Sequence, residues 1–484
     1  MPPSKKTRFS DYFALGKTQV QLDFVDIPME TDIPLFVDPY AMHISSQDWL
    51  RECGNAVVEY FQILIDSIKR DRDKVVLQLL DNFHEPNETH LGMSSGRPSG
   101  RGWGPTQAKQ LHEALKNSAA VRTGNLQDLG DFEMFIPGIG PDKISDLATN
   151  IIKGDLLQYT EEQCRLLGIP TEQVNAGRYW DSSQRNFISR YTDLPLYAGG
   201  PIMLVPKLAV RVRLVPDSDQ FYSRFVLDYL EAELIDANDS LVTVLKNGKK
   251  KVLRSDLKER FQYTREDLYK FSRQHPEILK RYKETLPNKA RPISDLDIEW
   301  QQPFPRDLDV GDLIPRLDNI PPGKANADRY HSEIVGLLSA IFYPSLANPR
   351  KEQPVDDGRK RIDITYDNAA DSGFFSQIVN QHRIFAPYIL VECKNYAEDP
   401  ENPELDQLQG RFSRKRGRFG LLICRSVDKP ELMIKRCKDV VNNSDGVIIV
   451  LEDNDIKEML SLRKIKGDDG VSDYMREKLR QILM

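Results

Sequence analysis

An α/β domain with a central mixed sheet flanked by helices is expected over residues 326–484, after a mixed, mainly helical α+β domain over 1–284 and a proline-rich connector over 285–325. Three observations carry this. Phe419-Gly420-Leu421-Leu422-Ile423-Cys424 and Gly446-Val447-Ile448-Ile449-Val450-Leu451 are continuous apolar runs of strand length, the pattern of sheet centres covered on both faces. Ile334, Leu337, Leu338 and Ile341 repeat at the spacing of an amphipathic helix near the start of the same stretch. Between 284 and 324, Leu286-Pro287, Arg291-Pro292, Gln302-Pro303-Phe304-Pro305 and Ile320-Pro321-Pro322-Gly323 exclude long helices and central strands.

In chain order, residues 57–83, 106–116, 221–234 and 255–261 have helical patterning. Leu241-Val242-Thr243-Val244-Leu245 and Lys251-Val252-Leu253 flank Lys246-Asn247-Gly248-Lys249-Lys250, and the Asn-Gly pair predicts a hairpin with a basic tip. Past the connector, residues 329–342 read as helix. Arg361-Ile362-Asp363-Ile364-Thr365-Tyr366 alternates as a strand, and Tyr388-Ile389-Leu390-Val391-Glu392-Cys393-Lys394 is β-rich. Leu405, Leu408 and Phe412 mark a short helix, and a further helix is expected over 430–441.

At 484 residues the chain exceeds what one core usually supports. Its net charge of −6 argues against a generally basic coat, so contact with a polyanion would need local patches. Five cysteines stand singly, which indicates neither a disulfide framework nor a zinc site. No long apolar segment or secretory leader is evident, so a cytoplasmic protein with no membrane contact is expected.

The chemistry-bearing residues lie late in the chain. Strand alternation puts Glu392 and Lys394 on one side of their strand, and Asp363 projects from its own strand between two isoleucines. Two carboxylates and the Cys393 carbonyl suit a hard cation such as Mg²⁺, with Mn²⁺ as a substitute. Such a metal binds a phosphate and acidifies a bound water, and Lys394 can orient that water or steady the transition state. Glu333 borders the apolar stripe of its helix, where it could add a ligand to a second metal or to water. The plainer account, a solvated salt-bridging strand face, has to explain why Val391-Glu392-Cys393-Lys394 puts charge into a core strand.

Glu333, then Asp363, then Glu392-x-Lys394, in that order on a helix and two strands, resembles the PD-(D/E)XK nuclease superfamily, and most closely its Mrr-type restriction endonucleases and Holliday-junction resolvases. The resemblance spans roughly 326–460. A proline before the Asp is missing, Ile362 standing there. It implies a restriction-endonuclease-like fold with Glu333, Asp363, Glu392 and Lys394 as catalytic residues, and a Mg²⁺-dependent endonuclease acting on DNA in restriction or anti-phage defence. It also implies a Gln near the active site on the following helix, which Gln407 or Gln409 matches; Gln409 flanks the apolar stripe. Arg411, Arg414, Lys415, Arg416 and Arg418 then form a basic cluster suited to phosphate contacts. A homo-oligomer, and a partner protein from a defence system, are expected with it. Two other readings stay open: a catalytically silent nuclease-shaped DNA-binding or assembly module, and an RNA-cleaving defence nuclease.

Two N-terminal features are candidate nucleic-acid contacts. The glycine-rich loop 92–104 carries Arg97, Arg101 and Trp103 and lacks the ending of a P-loop. Ile136-Pro137-Gly138-Ile139-Gly140-Pro141-Asp142-Lys143 resembles the hairpin of a helix-hairpin-helix module, in which Gly138, Gly140 and Lys143 would meet phosphate.

Overall fold

Leu50, Cys53, Val57, Tyr60, Phe61, Leu64, Ile65 and Ile68 line one face of helix α1 (Asp48–Lys69), the spine of the N-terminal core. The structure is a computed structural model. It describes residues 7–93, 105–118, 121, 131, 134–355, 360–444 and 446–484, without the side chains of 105, 107, 352–355, 360–363 and 444. Arg97 and Arg101 lie outside the described residues.

The helix expected over 57–83 is two helices, α1 and α2 (Asp73–Leu80), because Asp71 takes a left-handed φ of 53° within a charged run. Helices α3 (Pro105–Asn117), α4 (Pro141–Ile151) and α5 (Lys153–Leu167) follow. A hairpin, β1 (Glu172–Asp181) with β2 (Asn186–Leu194), was not expected from the sequence. Its first strand bulges between Asn175 and Arg178, which breaks the alternation along it, and its Trp180 and Phe187 rings meet Tyr60 of α1 edge-on.

On the turn before α3, Glu88 receives Lys153 Nζ at 2.6 Å. Burial pushes its carboxyl up, but His84 and Lys153 outweigh burial and hold it at about 2. A depressed folded value stabilises above the unfolded value and is lost as pH falls through the folded one. Glu88→Gln is therefore expected to lose less urea resistance than the unsubstituted protein between pH 5 and pH 2; equal losses would show that Glu88 contributes nothing to acid unfolding.

A second core is built by α6 (Leu227–Asp236), the hairpin β3 (Thr243–Val244) and β4 (Lys250–Lys251), and helices α7 (Arg254–Arg260), α8 (Arg265–Gln274) and α9 (Pro276–Lys283), around Phe221, Leu227, Val252, Leu257 and Tyr282. The stretch 1–284 thus holds two cores. The connector packs along its length: Ile293 and Ile298 enter the first core, and Leu313, Leu317 and Ile320 enter a third.

That third core surrounds a five-stranded mixed sheet. Helix α10 (Ala327–Phe342) precedes β5 (Leu346–Val355) and β6 (Lys360–Asn368); α11 (Gly373–Asn380) leads to β7 (Tyr388–Lys394), and α12 (Asn402–Gln409) to β8 (Phe419–Cys424). Then α13 (Pro430–Ser444), β9 (Val447–Glu452) and α14 (Asp453–Leu483), interrupted at Gly467, complete the chain. The order is β9-β8-β7-β6-β5, antiparallel from β5 to β7 and parallel from β7 to β9. Strand β5, which carries Pro349 and Pro354, was not among the strands expected; it is an edge strand, where a missing amide donor costs no ladder bond.

The N-terminal region is fastened to this sheet by buried polar contacts. Asp23 accepts from the Asn348 amide at 3.0 Å and from Tyr159 Oη at 2.7 Å; Gln47 Nε2 donates to Asp367 at 2.7 Å. Arg8 pairs with Glu299 of the connector at 2.5 Å, both buried. The five cysteines are buried and free. Among the described residues no helix is long and apolar enough to cross a membrane.

Candidate active site

Strand β7 lies in the middle of the sheet, and Leu390, Val391 and Cys393 are buried as its apolar run predicts. Glu392 is buried with them, 1% exposed. A carboxylate there must be paired. Its Oε1 lies 2.8 Å from Lys394 Nζ, the neighbour that strand alternation places on the same side. Its Oε2 receives the guanidinium of Arg411, itself only 4% exposed.

Arg411 enters from the turn after α12, and the same helix supplies Gln407, whose Oε1 accepts from Lys394 Nζ at 3.3 Å. Of the two glutamines the sequence offered, Gln407 meets the Glu-x-Lys pair. Gln409 instead lines a surface cavity of about 580 Å³ with Arg414 and Arg418. Arg414 and Lys415 are exposed, as phosphate contacts need to be, and Arg416 Nε donates to the Arg411 carbonyl at 3.1 Å. Arg411 departs from its expected place in the exposed cluster. Its charge is spent inside, on Glu392, because the chain reverses after α12 and carries it under the helix.

Asp363 precedes Ile364, the partner of Val391 in the β6–β7 ladder, and Glu392 follows Val391. The two acidic positions therefore sit at the same end of neighbouring strands; the Asp363 side chain lies outside the described ones. The Cys393 carbonyl, expected as a metal ligand, is 3.0 Å from His331 Nε2 on α10. A carbonyl oxygen has a second lone pair, so this contact orients the group without exhausting it.

Glu333, two residues on, faces another set of partners. Gln21 Nε2 donates to it at 3.4 Å and Arg316 lies 3.7 Å away. Beside it, burial draws the Lys17 ammonium below its usual range while Glu333 opposes the shift. Among the described residues no hydrogen bond or ion pair joins Glu333 to Glu392 or Lys394, so its expected convergence with them is not seen in these contacts. Nor, among them, do three or more His, Cys, Asp or Glu side chains form a metal-holding group.

His331 went unnoticed in the sequence. Its target is a backbone carbonyl 62 residues away, and no spacing rule points to a backbone atom. Asp453 was missed too. Burial raises its carboxyl above the usual range, Tyr330 Oη donates to it at 2.8 Å, and Arg425 lies 3.2 Å away.

The turn 136–144 departs from the helix-hairpin-helix picture. Ile139 is buried in the first core, and Lys143 Nζ donates to the Gly138 carbonyl at 2.9 Å. Gly140 caps α4, whose first turn carries Asp142, and burial together with Asp142, Glu85 and Asp32 raises Asp146 to about 8. An approaching phosphate would meet carboxylates here, which opposes the contact expected of Gly138, Gly140 and Lys143.

A sheet with helices on its flanks and a buried Glu-x-Lys pair at a strand end define a mixed α/β protein with one candidate catalytic centre. Comparison with known proteins adds one likeness: residues 14–217 match a family described as a domain of unknown function, DUF8370. That match covers most of the first core and stops before the sheet. No curated protein and no solved structure matches the chain.

Proposed function

We propose that residues 326–484 form a PD-(D/E)XK-type, metal-dependent endonuclease that hydrolyses DNA phosphodiester bonds in restriction or anti-phage defence. The observation that carries this reading is the buried Glu392, held on a central strand with Lys394 beside it and Gln407 on Lys394. A sheet interior tolerates such a charge only where something offsets its cost, and chemistry is one such thing.

The residues fit a hard divalent cation. Glu392 Oε1 is buried and close to Lys394 Nζ but not aligned with it as a hydrogen bond, so lone-pair capacity remains on that oxygen. Asp363, Glu392 and the Cys393 carbonyl would hold Mg²⁺ or Mn²⁺, and the ion would supply charge neutralisation at the scissile phosphate and a more acidic water. His331 fixes the carbonyl's direction. Lys394 is placed to orient the attacking water or to neutralise the oxygens around phosphorus, and Gln407 limits where its ammonium can go. Cutting both strands of a duplex takes two such sites, so the species active on duplex DNA is a dimer or a larger homo-oligomer.

A second reading draws on Arg411. With a guanidinium on one oxygen of Glu392 and an ammonium by the other, the carboxylate is also charge-compensated as a structural ion pair, which suits a silent nuclease-shaped module. Supercoiled, linear, branched and single-stranded DNA, and RNA, incubated with Mg²⁺, Mn²⁺ or EDTA separate the two. Metal-dependent DNA products support the nuclease, products from RNA alone move the substrate class, and no products on any of them favour the silent module.

Lys394→Ala tests the division of labour. Cleavage is expected to fall by about two to three orders of magnitude while Mn²⁺ affinity, read by calorimetry, changes little. A matching loss of metal binding would reassign Lys394 to holding the site together.

A further inference from the structure

The hairpin β3–β4 belongs to neither the DUF8370-like region nor the sheet. In a chain of net charge −6, residues 246–260 hold seven basic and two acidic side chains. Hydrogen bonds close the tip of the ribbon. Leu245 N donates to the Lys249 carbonyl at 2.8 Å, Gly248 N to the Leu245 carbonyl at 2.9 Å, and Lys249 N to Asn247 Oδ1 at 3.1 Å. Gly248 takes φ +79°, which glycine adopts without the cost a side chain brings. Its base is anchored by fully buried Val252, whose amide donates to Glu231 at 3.1 Å.

The charge on this ribbon is not neutralised by the fold. Lys246, Lys249 and Lys251 are exposed and, among the described residues, have no ion-pair partner, and Lys250 meets only the neutral Asn238. The acids at the base pair with two of the seven, Asp228 with Arg254 and Asp239 with Arg260, and not with the lysines of the strands and tip. Val244 and Leu253 stay 62% and 55% exposed beside the lysines. A solvated charged face usually comes with interspersed acids and few bare apolar side chains; this one has neither property.

We propose that this β-ribbon is a docking element for double-stranded nucleic acid, its lysines lying on backbone phosphates. A two-stranded ribbon fits the major groove, about 12 Å wide, and the exposed Val244 can lie against base or sugar edges once there. An anionic membrane offers negative charge as well, but a narrow ribbon with lysines at its tip presents no broad apolar face to lie in a bilayer surface. The proposal rests on the nuclease reading only for which polyanion the protein meets; the binding itself needs no catalysis.

The test is fluorescence anisotropy of the full chain on a labelled 30-base-pair duplex of mixed sequence in EDTA, over a series of salt concentrations. Lys246→Glu/Lys249→Glu/Lys251→Glu is expected to bind about tenfold or more weakly, and the slope of log affinity against log salt to fall by about 2.7, close to 0.9 for each lost phosphate contact. Lys246→Gln/Lys249→Gln/Lys251→Gln, which adds no repulsion, is expected to show the same fall in slope. Unchanged slopes in both variants overturn the proposal and leave the nuclease reading standing. So does an unsubstituted protein that binds phosphatidylserine vesicles and not the duplex. Loss of metal-dependent cleavage by the unsubstituted protein, with duplex binding and its lysine-dependent slope intact, overturns the nuclease reading alone.

Discussion

Asp363→Ala is expected to lower Mg²⁺-dependent DNA cleavage by about three orders of magnitude, the effect of losing several kcal/mol of charge stabilisation at the phosphate. It is the cleaner of the two carboxylate tests. Glu392 is buried between two cations, so Glu392→Ala would strand Lys394 and Arg411 in the interior and confuse a chemical loss with an unfolded protein. Glu392→Gln keeps the shape and a hydrogen-bond acceptor while removing the ligand charge, and a comparable loss of cleavage is expected from it. Plasmid nicking at fixed Mg²⁺, with thermal melting as the fold control, reads both. Cleavage at the unsubstituted rate by folded Asp363→Ala would remove the proposed centre.

Arg411→Ala carries the largest expected effect on stability. Both partners of this pair are buried, so removing the guanidinium leaves a carboxylate with Lys394 as its one counter-charge among the described residues, and a loss of about 3–5 kcal/mol is expected. Replacing both members, Arg411→Met with Glu392→Gln, is expected to recover most of that loss, because two neutral groups need no mutual compensation. Urea unfolding of Arg411→Met, of Glu392→Gln and of the variant that combines them completes the cycle, with Arg411→Ala measured beside them. Additive losses, or a change under about 1 kcal/mol for Arg411→Ala, would mean that Arg411 does not sustain Glu392.

Period and composition are local properties, and what depends on them alone was readable. The helix at 327–342, the strands through Asp363, Glu392, Leu421 and Ile448, and the Asn247-Gly248 hairpin all follow from alternation or turn chemistry within a few residues. The pairing of Glu392 with Lys394 was readable for the same reason, since two residues along one strand share a side. Strand β5 escaped because its prolines forbid a central strand and only its neighbours decide that it is an edge. The hairpin 172–194 escaped because its few aromatic residues gain their burial from α1 more than 100 positions earlier.

The partners of the charged groups were beyond any such pattern. An Arg in a run of basic residues looks solvent-facing, and Arg411 goes inside only because the chain turns back after α12 onto a buried carboxylate. Glu333 is held by Gln21 and Arg316, more than 300 residues and 17 residues away, and His331 by a backbone carbonyl on strand β7. Elements with a strong period of their own are settled by side-chain periodicity along the chain, whereas edge strands and the pairing of charges are settled by packing, where burial makes an unpaired charge costly and so selects the neighbour that can answer it.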